Sequence, residues 1–339
     1  ARAECRLSDS KIRQLALRRA RRGKPPVSDE LPLVAKRSPN CSRLKMHVAF
    51  NGQGYHGWSR QPSLRTLQGV LEDTLRDLLG QRLRIVPAGR TDAGVHAMAQ
   101  VCQFDAVLGE SRAEIEDLPK LFNAALPRDV RVSSLAVAGP SFNVMVTLWK
   151  RYVYRIPGTP AEVREFCARC TQGELLGTTA PPDVELMREA ADRLLGTHDF
   201  AAFQSRGGRQ STVRTLLRCG VWSCSGGLAL LMEADGFLMH MCRILAGTLL
   251  EIGCGRREPC HVHTLFEQRD RSLAGPTLPA GGLCLEHVEH ERDWTPELSA
   301  SIPVSGTLVG VPSEDGPRRP LIADRPLISD RGGCDRLIA

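Results

Sequence analysis

The stretch AGRTDAGVHAMAQVCQFD, residues 88–105, begins as a turn and ends as a strand. VHAMAQVCQF (95–104) and the preceding LRIVPA (83–88) both read as strands. Between them Gly89 and Gly94 bracket Arg90, Thr91, Asp92 and Ala93. Glycines at such positions allow tight turning and the close approach of a ligand backbone. Two readings of Asp92 follow. Thr91 and Asp92 can hydrogen-bond local backbone groups, which makes an ordinary Asx-type turn. Alternatively, the turn exists to present a carboxylate.

Working outward, LKMHVAF (44–50) and KRYVYRI (150–156) read as strands, and LCLEHVEH (283–290) closes the region as another. RCGVWSC (218–224) and GLALLMEAD (227–235) flank a glycine-containing turn and predict a hairpin. TLQGVLEDTLRDLLG (66–80) places Leu67, Val70, Leu71, Leu75, Leu78 and Leu79 on one helical face, with Gly80 as terminator. DVELMREAADRLLG (183–196) is a second amphipathic helix ended by glycine, and the apolar helix 237–252 is a third. Strands and helices mix without strict alternation. That predicts an α+β fold with a central mixed, largely antiparallel sheet and helices packed on one side, and the element order allows two related halves without a sequence repeat to show them. The expected organisation is a basic extension over 1–43, halves over 44–140 and 141–292, and a tail over 293–339 rich in Pro, Gly, Asp and Arg.

The apolar helix poses a second question. Phe237, Leu238, Met241, Ile244, Leu245, Leu249 and Leu250 leave it little polar surface, yet it carries Arg243. A buried guanidinium requires a partner, and a carboxylate fits its fork. Asp92, Asp199, Asp235 and Glu251 are all candidates. The segment 237–253 is too short to span a membrane and carries His240 and Arg243.

A net charge of +7 favours a polyanionic partner such as RNA. Nine Lys/Arg against two acids in the first 24 residues read as a solvated basic arm, an RNA-binding arm, or the remnant of an arginine-rich organellar targeting segment. The opening Ala permits processing, and a mitochondrial location is the expectation. The twelve cysteines are scattered and read as reduced thiols. Cys167 and Cys170 would make zinc ligands only by meeting Cys260, His261 and His263 in space, and free cysteines are the preferred reading. Neither a P-loop nor a dinucleotide fingerprint is present.

AGRTDAGVHA resembles the active-site signature of the TruA family of RNA pseudouridine synthases. YHGWSRQPSLRTLQGVLE (55–72), LFNAALPRDVRV (121–132), LLGTHDFAAFQS (194–205), STVRTL (211–216), FLMHMCRILAGTLLEIGCGR (237–256) and PAGGLCLEHVE (279–289) resemble further family blocks in family order. The resemblance spans roughly residues 44–290. It implies a pseudouridine synthase fold whose halves surround an RNA-binding cleft, and cofactor-free, metal-free isomerisation of uridine in RNA. The implied substrate is tRNA, in its anticodon stem-loop, or rRNA. By the same resemblance Asp92 is the essential carboxylate and Arg243 its partner. Tyr152 stacks on the base and is placed to take the C5 proton; from the residues alone, Tyr154 shares its alternation and Tyr152 is not preferred. Arg90 holds the extruded nucleotide, and Thr91, His96, Arg60, Gln61, Lys150, Arg151 and Arg214 join it as RNA-binding residues. A homodimer is implied.

The chain departs from the family at four places. Met145 stands where a basic residue is usual, Asn51 where an acid is usual, Met239 where an aromatic or histidine is frequent, and Ile244 where asparagine is common. With the tails, these departures motivate a second reading: an RNA-binding subunit or assembly factor of an organellar ribosome, a large ribonucleoprotein particle, with catalysis reduced or lost.

Overall fold

The computed structural model describes residues 41–107, 112–170, 181–208, 210–224 and 226–290. The basic arm up to residue 40 and the tail from residue 291 lie outside them. Elements follow in the order β1 (Cys41–Phe50), α1 (Leu67–Leu79), β2 (Val86–Pro87), β3 (His96–Val107), α2 (Arg112–Ala125), β4 (Val130–Val137), β5 (Trp149–Pro157), α3 (Pro160–Cys170), α4 (Val184–Arg193), β6 (Gly196–Asp199), β7 (Val213–Cys224), β8 (Gly227–Ala234), α5 (Met241–Gly253), α6 (His261–Gln268) and β9 (Leu283–Glu289).

The strands form one nine-stranded sheet in the order β4-β1-β3-β9-β5-β8-β7-β6, with β2 added on β3. Among the described pairings only β3 with β9 is parallel, joining His96 to Cys284 and Ala97 to Leu285. On its other edge β9 runs antiparallel to β5. The last strand therefore stitches β4-β1-β3 to β5-β8-β7-β6. The site lies at this seam.

The α+β expectation describes this sheet, and the local signals explain its parts. Thr66 caps α1 by accepting from Gly69 N–H (3.3 Å), and Gly80 ends it in the left-handed region at φ +66. Leu67, Leu71 and Leu75 are buried along its inner face. β7 and β8 form the expected hairpin, paired from Leu216–Ala234 to Cys224–Gly227. The strand expected over 83–88 shrinks to Val86–Pro87. Glu72 Oε1 takes the Ile85 N–H (3.0 Å) and Gln68 Nε2 donates to Ile85 O (3.2 Å), so α1 side chains satisfy backbone groups that a ladder would use. The apolar helix starts at Met241 rather than 237, because His240 adopts φ +62 and breaks the helical path.

Buried residues of α1, α2, α4, α5 and α6 join one core with Leu44, Met46, Tyr152, Tyr154, Leu230 and Met232. On the opposite sheet face Val153, Ala229 and Leu231 form a small cluster against Trp222. Beside it lie the ion pairs Arg151–Glu233 (2.8 Å) and Arg155–Glu286 (2.5 Å). No helix among the described residues is long and apolar enough to cross a membrane.

Candidate active site

The loop bearing Asp92 is pinned by its neighbours. Trp58 N–H donates to Thr91 O (3.0 Å), Gly94 N–H to Tyr55 O (3.3 Å) and Val95 N–H to Asp92 O (3.2 Å). Gly94 turns the chain at φ +81, a conformation glycine adopts at little cost. A Cβ at Gly89 would meet Lys150 Nζ at 3.2 Å, so this glycine also makes room for a lysine of this chain.

The Asp92 carboxylate is directed away from the local backbone. Its Oδ2 accepts from Arg243 Nη1 at 3.1 Å and lies 3.5 Å from His240 Nε2. The Asx-turn reading therefore fails. The other carboxylates weighed for Arg243 are engaged elsewhere: Asp199 with Arg269 (3.2 Å), Glu251 with Arg257 (2.5 Å), and Asp235 Oδ1 with Thr215 N–H (3.0 Å). Arg243 is braced from behind as Nε donates to Leu278 O (2.6 Å). That carbonyl comes within reach because Gly247 lets α5 close on the chain, where a Cβ would lie 2.0 Å from Pro276 O. Ile244, Leu245, Leu249, Leu250 and Ile252 are fully buried on the same helix. At roughly 1.5–3 kcal/mol per buried side chain, they make α5 a rigid mount for the arginine.

Asp92 opens on a cleft of about 1160 Å³ across the seam of the sheet. Arg90, Thr91, Lys150, Tyr152 and Arg214 also line it. Lys150 Nζ donates to Ala88 O (2.8 Å) and so reaches across the seam to the Asp92 loop. Tyr152 packs edge-on against Phe237, centroids 5.1 Å apart. Tyr154, fully buried on the same sheet face, is tied through its hydroxyl to Pro279 O (2.8 Å). The two tyrosines that alternation left equivalent are thus distinguished by what covers them. Burial pushes the Tyr152 phenol well above its ordinary range, and Cys242 and Asp92 add to the rise.

Four expected RNA contacts are not brought to the cleft. Arg151 stands one residue from Tyr152 and so on the opposite sheet face, where Nε and Nη2 both donate to Glu233 Oε2 (2.9 and 2.8 Å). Arg60 is held by Glu72 (3.0 Å) and Asp73 (3.2 Å) of α1. Gln61 turns back to His56 O (3.1 Å). His96 Nδ1 accepts from Gly52 N–H (3.3 Å) at the junction of β3 and β9. Each of these side chains is engaged within the protein.

Of the departures from the family pattern, Met145 (50% exposed) and Met239 (37%) are both in the cleft wall, Ile244 is core, and Asn51 accepts from Gln53 N–H (3.1 Å) in its turn. His240 lines the cleft and touches the central carboxylate, yet sequence reasoning placed it only as a polar interruption of an apolar run. Its spacing of three residues from Arg243 was the available signal. Among the described residues no group of three His, Cys, Asp or Glu is arranged to hold a metal. The Cys167 side chain lies outside the described residues, and the eight cysteines with described side chains are outside any disulfide.

Comparison with known proteins adds a name to this geometry. A family model described as tRNA pseudouridine synthase matches residues 46–145 and 190–291. A tRNA pseudouridine synthase A from Myxococcus xanthus is 41% identical over 75% of this chain and 94% of its own length. Proteins of the same name from Geobacillus kaustophilus and Frankia casuarinae are each 38% identical, covering 74% and 81% of this chain and 95% and 98% of their own lengths. The matched segments carry Asp92, Tyr152 stands between them, and Arg243 falls in the second. The chain belongs to the tRNA pseudouridine synthase family.

Proposed function

We propose that this protein isomerises uridine to pseudouridine in tRNA, with Asp92 as the catalytic carboxylate, Arg243 its electrostatic partner and Tyr152 the platform for the base. The observation that carries the reading is the 3.1 Å Asp92–Arg243 pair, joining residues 151 positions apart at the edge of a cleft that Tyr152 also lines.

The chemistry requires no cofactor because atoms and electrons balance within the nucleoside. The bond from C1′ to N1 breaks, the base turns, and C1′ joins C5. The proton on C5 leaves, and N1 finishes protonated. A base stacked in a helix cannot present both ring edges, so the nucleotide is extruded into the cleft. Asp92 brings its carboxylate to the glycosidic junction, where charge develops as the bond breaks. Tyr152 stacks on the base. Burial, with Cys242 and Asp92, keeps its phenol protonated in the free protein. Arg90, Lys150 and Arg214, joined in the cleft wall by Arg84, serve the phosphates.

Two finer points belong to the same reading. The protein acts as a homodimer, as the family resemblance implies, and works in the mitochondrion, for which the arginine-rich first 24 residues are the support. Tagging in cells and light scattering in solution test them. The scaffold-subunit reading is not favoured: the relatives are named as enzymes, and the carboxylate, arginine and tyrosine remain together.

The decisive assay uses tRNA transcripts labelled with tritium at uridine C5. The reading expects tritium release by the wild-type protein, with pseudouridine appearing at the same sites by chemical mapping, and neither with Asp92→Ala. Absence of both with wild-type protein on a full set of tRNAs overturns it.

A further inference from the structure

The geometry points to His240 as a positioning residue that, with Arg243, clamps one oxygen of Asp92 and leaves the other for the nucleoside. This rests on the reading of Asp92 as the catalytic carboxylate.

His240 occupies the N-cap position of α5 at φ +62, ψ 6. An N-cap residue is ordinarily extended and uses its side chain to cap the first turn. His240 does neither, since its side chain caps no backbone group. A non-glycine residue in the left-handed region costs about 1 kcal/mol or more. Only Ser63 and Arg269 share that conformation among the described non-glycine residues, and Arg269 ends a helix, where it is common. The conformation of His240 therefore serves something other than its helix.

The imidazole is held at both nitrogens. Nδ1 lies 2.8 Å from Ser205 Oγ, and Nε2 lies 3.5 Å from Asp92 Oδ2. The Ser205 N–H also donates to Met239 O (3.2 Å), so the 205 loop and the 239–240 turn are fastened twice. Facing a carboxylate selects the form with a proton on Nε2, and the Ser205 hydroxyl then donates to Nδ1. Arg243, three residues on, donates Nη1 to the same Oδ2 at 3.1 Å. Both donors thus converge on one oxygen, from one turn of chain, and Oδ1 receives neither. The left-handed backbone at 240 is what aims the imidazole across the cleft mouth rather than along the helix.

A clamp of this kind acts on orientation. Misplacing a reacting group by about 1 Å costs on the order of 10²-fold in rate. The test is single-turnover and steady-state kinetics on tRNA with four variants. His240→Gly suits the backbone and removes the imidazole; a fall in kcat of about 10–100-fold is expected, with KM within about twofold and thermal stability unchanged or higher. His240→Gln keeps an N–H near the place of Nε2 and is expected to recover at least about a tenth of wild-type kcat, whereas His240→Leu recovers none of the loss. Ser205→Ala, which frees Nδ1, is expected to fall between wild type and His240→Gly. Wild-type kcat in His240→Gly, while Asp92→Asn is inactive, overturns the clamp and leaves the proposed function standing. Equal loss in Gln and Leu variants, tracking loss of thermal stability, also overturns it by assigning His240 a structural role. An inactive wild-type protein refutes the proposed function itself.

Discussion

Two arginine–carboxylate pairs sit on either face of the same sheet, and they are built differently. Glu233, with a side chain 9% exposed, receives both Nε and Nη2 of Arg151 on one oxygen, and Arg151 also lies over the Trp149 ring, 5.3 Å from its centroid. That pair lies between adjacent strands, held by the direct β5–β8 register of Arg151 opposite Glu233. Asp92 and Arg243 come from a loop and a helix far apart in sequence. Asp92 stays 34% exposed while Arg243 is 15% exposed, and the arginine's second donor is spent on a backbone carbonyl behind it. A pair that supports a sheet encloses its charge. The Asp92–Arg243 pair is anchored on the cation's side and open on the anion's, as the proposed chemistry requires.

The largest expected effect that separates them follows from this asymmetry. Replacing Arg243 by Leu removes a preorganised partner of the carboxylate and is expected to lower pseudouridine formation by about 10²–10³-fold, measured under single turnover. Arg243→Lys should recover little, because a point charge cannot serve Leu278 O and Asp92 at once. Next in size is the contrast between the tyrosines. Tyr152→Leu is expected to cost about 1–3 kcal/mol of base stacking, seen as weaker binding of tRNA and slower turnover. Tyr154→Phe should leave turnover unchanged and lower stability by about 1 kcal/mol, since only its hydrogen bond to Pro279 O is lost.

Much of this contrast was legible in the sequence. An arginine in the most apolar helix announced that it had a partner, while the loop around Asp92 allowed either an Asx-type turn or a displayed carboxylate until the family resemblance favoured the second. The helix 66–80 and the 218–235 hairpin were written in periodicity and turn residues. What was not legible depended on neighbours distant in sequence. The strand over 83–88 is truncated because Gln68 and Glu72 reach its backbone from α1. The resemblance gave Arg151 as an RNA contact, but neighbours on a strand point to opposite faces, and Arg151 is turned from Tyr152 to Glu233. Arg60, given as an RNA contact by resemblance, is held by two acids 12 and 13 residues away on α1. β4 shows a weak signal because its burial pattern breaks after Val132 at the sheet edge. His240 was hidden by a backbone conformation that no residue type declares, since histidine carries no special preference for it comparable to glycine.

The sheet's far side gives two smaller tests. Arg151→Leu leaves Glu233 without its partner and is expected to cost about 1–3 kcal/mol in denaturant unfolding, with tRNA modification within about twofold of wild type. The second test concerns His47, on β1. Burial, then the charges of Lys45, His290 and His287, pull its imidazole down to about 4. The folded state therefore resists a proton that the unfolded chain accepts at its ordinary value near 6.5. Stability should be independent of this group above pH 6.5, fall as pH drops from 6.5 towards 4, and level off below. Thermal unfolding followed across that window should be less steep in pH for His47→Gln than for the wild type.

The most direct measurement sets the two carboxylates side by side. Asp92→Asn and Glu233→Gln each remove one negative charge with almost no change of shape. Single-turnover pseudouridine formation on tRNA and thermal unfolding are then recorded for both. Asp92→Asn is expected to lose at least about 10³-fold in rate with little change in stability, and Glu233→Gln to keep its rate within about twofold with a lowered melting temperature. Near-normal rate in Asp92→Asn, or a rate loss in Glu233→Gln as large as in Asp92→Asn, would contradict that expectation.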